Sequence, residues 1–98
     1  MPDIHPYDVI VRPVVTEKTS AMADEHGQYT FEVDMRANKI QIKQAVELIF
    51  DVNVEKVATM IVPAKFGLRG RRRYQRKKAW KKAIVRLAPG QSIDLFNL

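Results

Sequence analysis

The sequence predicts an α+β fold, on three observations. Apolar and polar residues alternate with period two from Gln28 to Asp34, the mark of a half-buried strand. A 3.6-residue apolar repeat marks a helix from about Lys39 to Phe50. Two further strands, Val54 to Val62 and Trp80 to Leu87, are joined by a long cationic excursion and so read as an extended hairpin. Ninety-eight residues with 46% apolar content suffice for one modest core, so a single domain over residues 1–98 is expected.

Met1 to Asp8 carries two prolines and two acids and reads as a flexible lead-in. Val9-Ile10-Val11 is a β-branched run stopped by Pro13, hence a short strand. Thr16 can cap a helix from about Glu17 to Asp24, with the acid Glu17 in its first turn and Gly27 to end it. So short a helix must be held by packing. In the strand that follows, Tyr29, Phe31 and Val33 face one way, and Thr30, Glu32 and Asp34 the other. Asn38-Lys-Ile-Gln41 has the form of a capping box. Ile42, Ala45, Val46 and Ile49 then make one apolar face, while Lys43 and Glu47 lie four apart on the polar side. Phe50 adjoins that apolar face and reads equally as core.

Val54 to Val62 is almost continuously apolar, which predicts a central strand with both faces at least partly covered. Trp80 to Leu87 places Ala83, Val85 and Leu87 on one face, and Trp80 is expected to pack under the hairpin base. Pro89-Gly90 is a turn, and Ser92 to Leu98, with Ile93, Leu95 and Phe96, is expected to fold back on the body.

The excursion, about residues 63–80, carries the chemistry. Lys65, Arg69, Arg71, Arg72, Arg73, Arg76, Lys77, Lys78, Lys81, Lys82 and Arg86 follow one another with no acid between them. Gly67 and Gly70 permit positive φ and suit a loop tip. Phe66, Tyr74 and Trp80 are spaced among the charges. Arginine forks match phosphate oxygens, and aromatic planes stack on bases, so the strip has the chemistry of a nucleic-acid contact. A solvated basic face or a localisation tag is the plainer reading. The density of the cluster favours contact, because it repels itself unless an anion meets it. Residues 1–55 hold five cations against ten acids, a net −5; residues 56–98 hold twelve against one, a net +11. Such a split suggests two partners, or one partner met on one side.

Other classes find little support. There is no cysteine, hence no thiolate metal site or disulfide, and a reducing compartment fits. His5 and His26 have no metal-ligand spacing, and no acid is grouped with a nucleophile and a base, so neither catalysis nor a cofactor is expected. Gly67-Leu-Arg-Gly70 lacks the Gly-Lys-Ser/Thr ending of a phosphate-binding loop. No apolar run is long enough to span a membrane, and the amino terminus lacks the basic start and apolar stretch of a signal peptide, which makes the cytoplasm the default. A free-standing RNA- or DNA-binding regulator would use the same cations, but it needs no acidic docking face.

Several motifs, in order and spacing, resemble a known family. They are Arg12-Pro13-Val14-Val15-Thr16-Glu17-Lys18, Tyr29-Thr-Phe-Glu-Val33, Ala37-Asn-Lys-Ile40, Ile42-Lys43 and Ala45-Val46. Phe50, Val52, Val54, Val57 and Thr59 follow, and Trp80-Lys81-Lys82-Ala83-Ile84-Val85 with Gly90 closes the pattern. From about Val9 to Ile93 the chain resembles the bacterial form of the large-subunit ribosomal protein numbered twenty-three. The resemblance implies a four-stranded, mostly antiparallel sheet with the two helices packed on it. It implies a place on domain III of 23S rRNA beside the exit of the peptide tunnel, among neighbouring large-subunit proteins, with the hairpin loop reaching along the tunnel wall. The rRNA-binding residues would be Lys65, Arg69, Arg71, Arg72, Arg73, Arg76, Lys77, Lys78, Lys81 and Lys82. A docking surface for trigger factor and the signal recognition particle would include Glu17, Phe50 and Asp51. Asp51 stands where Glu is frequent, one methylene shorter, and Tyr74-Gln-Arg-Lys-Lys stands where a third glycine is expected.

Overall fold

Tyr29, Phe31 and Val33 are the buried positions of strand β2 (Gln28–Val33), and they fix which way the sheet faces. In this computed structural model, which describes residues 4–93 apart from the side chains of Arg69, Gln75 and Arg76, β2 lies between two antiparallel neighbours. On one side is β1 (Ile10–Pro13), on the other β6 (Trp80–Leu87), and β6 pairs in turn with β3 (Val54–Val62). The order is β1-β2-β6-β3, antiparallel throughout. Side chains opposite each other in register share a face. Tyr29 with Val85 and Phe31 with Ala83 therefore line one face, over which α3 (Lys39–Phe50) lays Ile42, Ala45 and Val46, all fully buried.

The caps follow the sequence closely. Asn38 and Gln41 form the reciprocal box, with the Gln41 amide donating to Asn38 Oδ1 at 2.8 Å and the Asn38 amide donating to Gln41 Oε1 at 3.0 Å. Thr16 caps α2 (Glu17–His26), and Thr19 closes that box from inside the helix. Gly27 ends it in the left-handed conformation, φ 64°, with its amide donating to the Ala23 carbonyl at 3.1 Å. Nothing lies within 4 Å of a Cβ added there, so substitution meets only backbone strain. Gly27→Ala is expected to cost about 1–2 kcal/mol, read as a lower urea midpoint at unchanged slope. Lys43 and Glu47 are spaced for an ion pair, yet Glu47 Oε2 accepts from the Val54 amide at 3.1 Å and so ties the end of α3 to β3.

Four expectations are corrected. The lead-in is not structureless from residue 4 onward: Pro6–Val9 forms a short helix, α1, opened by the His5 imidazole accepting from the Tyr7 amide. Proline at the first helical position is preorganised for it, and Ile4 and Val9 are buried in the core. Strand β3 is not central but an edge, with Met60 and Ile61 exposed. A continuous apolar run does not reveal how many neighbours a strand has, and the central place goes to β6, which β2 and β3 flank. The cationic excursion is not a loop but a two-stranded ribbon, β4 (Lys65–Arg69) with β5 (Arg72–Lys77). Gly70, φ 67°, leads a two-residue turn with Arg71, as glycine-first hairpin turns require. Gly67 makes no turn; it lies inside β4 opposite Tyr74. The ribbon is a sheet of its own, unpaired with the main one, and the radius of gyration is 15.2 Å, against about 12.6 Å for a compact chain of this length.

Ile93 does fold back, its amide donating to the buried Tyr29 hydroxyl at 3.1 Å. Leu95 and Phe96 lie outside the described residues.

Candidate nucleic-acid interface

Alternation along the ribbon sorts its side chains. Phe66, Leu68 and Arg73 share one face, and Arg72 and Tyr74 the other. The Arg73 guanidinium lies 4.0 Å from the centre of the Phe66 ring, a cation–π contact that holds it extended. Leu68 is 75% exposed, and Phe66 and Tyr74 are close to half exposed, without a core beneath them. Lys65, Arg71, Arg72, Arg73, Lys77 and Lys78 are all exposed. The ion pairs among the described residues, Arg12–Glu32, Arg36–Asp34 and His26–Glu25, leave these cations unmatched.

The basic surface continues onto the sheet face opposite α3. Register places Lys82 with Met60 and Glu32, Trp80 with Val62, and Arg86 with Lys56 on that face. Arg12 joins them, its Nε 2.6 Å from Glu32 Oε2. Helix α2 leans on this face: Thr19 and Met22 line a shallow depression with Gln28, Thr30, Lys82 and Ile84. Arg12 and Lys56 lay outside the basic strip read from the sequence, and Arg86, its last cation, was not among the rRNA-binding residues that the resemblance implied. Arg86 shares parity with Lys82 within one strand, but the signal for Arg12 and Lys56 needs the strand pairing to be known.

Lys81 stands apart. It points to the core face, and its ammonium donates to the Ala37 carbonyl. Within its electrostatic reach is the Asp34 carboxylate, which accepts the Arg36 backbone amide at 2.8 Å and both ends of its guanidinium at 3.1 Å. The Arg36 hydrogen bonds, with a smaller contribution from Lys81, hold the Asp34 carboxyl below the usual aspartate range. Lys81 thus braces the connection from β2 to α3. Arg69 and Arg76 belong to the ribbon by backbone pairing.

The three docking candidates lie at helix ends. Glu17 is exposed in the first turn of α2, and Asp51 is exposed at the carboxyl cap of α3 with φ 54°. Phe50 is half-buried, its ring 5.5 Å from that of Phe31 and nearly parallel to it. It serves the core with one side and meets solvent with the other. Among the described residues no group of His, Cys, Asp or Glu is arranged to hold a metal ion, and no helix is long and apolar enough to cross a membrane.

Fold and surface together define a small α+β protein that carries a separate basic ribbon with exposed cations. Comparison with known proteins gives the particular family. The family model for ribosomal protein L23 matches residues 8–95. Large ribosomal subunit protein uL23 of Herpetosiphon aurantiacus is 51% identical over 94 residues, covering 93% of this chain and 95% of its own. The protein of the same name from Desulfatibacillum aliphaticivorans is 50% identical over 91 residues, with 93% and 95% covered. That of Aquifex aeolicus is 47% identical over 94 residues, with 94% and 91% covered. The chain belongs to the ribosomal protein L23 family. It is a structural constituent of the large subunit in the cytoplasmic ribosome, associated there with ribosomal RNA and other subunit proteins, and it is not an enzyme.

Proposed function

We propose that the ribbon and the basic sheet face bind 23S rRNA beside the exit of the peptide tunnel, and that residues 1–98 act there as one domain. The observation that carries the reading is the set of exposed ribbon cations with no described acid paired to them. In water they repel one another; against a phosphate backbone each can release a counterion. Arginine, the commoner cation of the ribbon, suits bidentate phosphate contact. The test is chemical footprinting of 23S rRNA in subunits with and without the protein. Protections near the tunnel exit that vanish when Arg71, Arg72 and Arg73 become alanine support the reading. A footprint unchanged by that triple substitution refutes it.

Glu17, Phe50 and Asp51 form the proposed docking surface for trigger factor and the signal recognition particle. Support comes from the half-exposed ring, the two exposed acids at helix ends, and the net −5 of residues 1–55. An apolar anchor with charge at its rim is the usual anatomy of a small docking site. Asp51 follows Phe50 directly, whereas Glu17 opens the helix that leans on the other sheet face and would contribute on-rate and register. Glu17→Lys is expected to weaken trigger-factor binding to purified ribosomes, most at low salt where charge effects are largest. Incorporation of the protein into the subunit should be unaffected. Unchanged affinity at low salt would remove Glu17 from the site.

A further inference from the structure

We propose that the groove at the root of the ribbon is a site for one unpaired RNA nucleotide whose base carries an amino group. The inference rests on the rRNA reading above and names what this part of the surface takes. The groove is open and about 650 Å³ in volume, within the usual range for small-ligand sites. Pro13, Val14, Ala79 and Trp80 give it an apolar lining, Lys77 and Lys78 bring two ammonium groups, and the Arg12–Glu32 pair completes it.

Each component suits a part of a nucleotide. Trp80, expected to pack under the hairpin base, is half-buried and contributes to the groove surface. An accessible aromatic plane is what an unstacked base seeks. Lys77 and Lys78 are exposed beside it and can meet the flanking phosphates. The Lys82 ammonium, 5.7 Å from the Trp80 ring centre, offers the next phosphate a further cation.

Glu32 decides what kind of group enters. A carboxylate within a cationic groove repels a bare phosphate but accepts hydrogen bonds. Its side chain keeps 20% of its surface exposed beyond the contact with Arg12, and an ionised carboxylate has about four acceptor sites. The amino group of cytosine is a natural donor to it, whereas uracil presents a carbonyl oxygen at the same position. Bases held inside a duplex cannot enter, so the occupant is unpaired.

Trp80 is the only tryptophan of the chain, so its fluorescence reports the groove directly. The full-length protein would be titrated with oligocytidylate, oligouridylate, duplex RNA of equal length and linear polyphosphate. Binding of each labelled probe would be followed separately by anisotropy. Oligocytidylate is expected to quench Trp80 and to bind about fivefold or more tighter than oligouridylate. Duplex and polyphosphate are expected to bind through the ribbon while leaving the emission nearly unchanged. Trp80→Leu is expected to weaken oligocytidylate binding about tenfold. Glu32→Gln, on the sheet surface, is expected to erase the preference for cytosine without loss of the fold as judged by circular dichroism. Equal response to the two pyrimidine oligomers, or quenching by polyphosphate or duplex as strong as by oligocytidylate, overturns the proposal. Tight rRNA binding with unchanged Trp80 emission overturns the groove and leaves the ribbon reading standing. Failure to bind any RNA overturns both.

Discussion

Phe31→Ala is expected to destabilise the protein by about 3–5 kcal/mol, the range for deleting a buried aromatic ring. Phe31 has no exposed surface, sits in β2 between Pro13 and Ala83, and stacks on Phe50 from α3. Removing it opens a cavity where sheet and helix meet and takes away the inner partner of the Phe50 ring. A small domain has only about 5–15 kcal/mol in all, so the variant should lie near the edge of folding at physiological temperature. Urea unfolding followed by circular dichroism measures the loss. Leu68→Ala, at a side chain 75% exposed on the ribbon, is the control and should stay within about 0.5 kcal/mol. A loss for Phe31→Ala no larger than that control would mean that the alternation of β2 faces solvent.

The second large effect concerns salt. If about six ribbon cations meet phosphates, the logarithm of rRNA affinity should fall with the logarithm of salt at a slope near −4 to −5. Affinity would then drop about 250- to 1,000-fold between 50 and 200 mM salt. Lys65, Arg71, Arg72, Arg73, Lys77 and Lys78 are six exposed ribbon cations whose side chains are described. Changing Arg71, Arg72 and Arg73 to alanine should make the slope shallower by about 2–3. Lys81→Ala should barely alter it, because that ammonium is engaged with the Ala37 carbonyl and should instead show its effect in stability. A wild-type slope near −1 would sink the ribbon as the principal contact. Filter binding of a 23S rRNA fragment at several salt concentrations reads both quantities.

The two predictions draw on different layers of the molecule, and those layers were not equally legible. Local rules carried the first. Alternation in Gln28–Val33 named the buried residues, and the Asn38–Gln41 box and Gly27 marked where helices begin and end. Each of these depends on neighbours within a few residues, where backbone geometry and side-chain reach are fixed by spacing. The short helix Pro6–Val9 escaped because a single turn has no apolar period to detect. The ribbon escaped because a strand dense in cations lacks the β-branched and aromatic signature by which strands are recognised.

The α+β class, most of the core residues, and the position and sign of the basic strip were legible in the chain before folding, whereas Ile4 was not. Composition and short-range spacing carry these, and the ordered motifs carry the resemblance to the family. Strand pairing was needed to show that β6 rather than β3 is central, that Arg12 and Lys56 share the face of Lys82, and that Arg12, Glu32 and Trp80 meet at one groove. The physical reason is that strand order and register are long-range choices. Val85 finds Tyr29 and Val57 because several apolar rows must be buried against one helix at once, and no local stretch of chain specifies that arrangement.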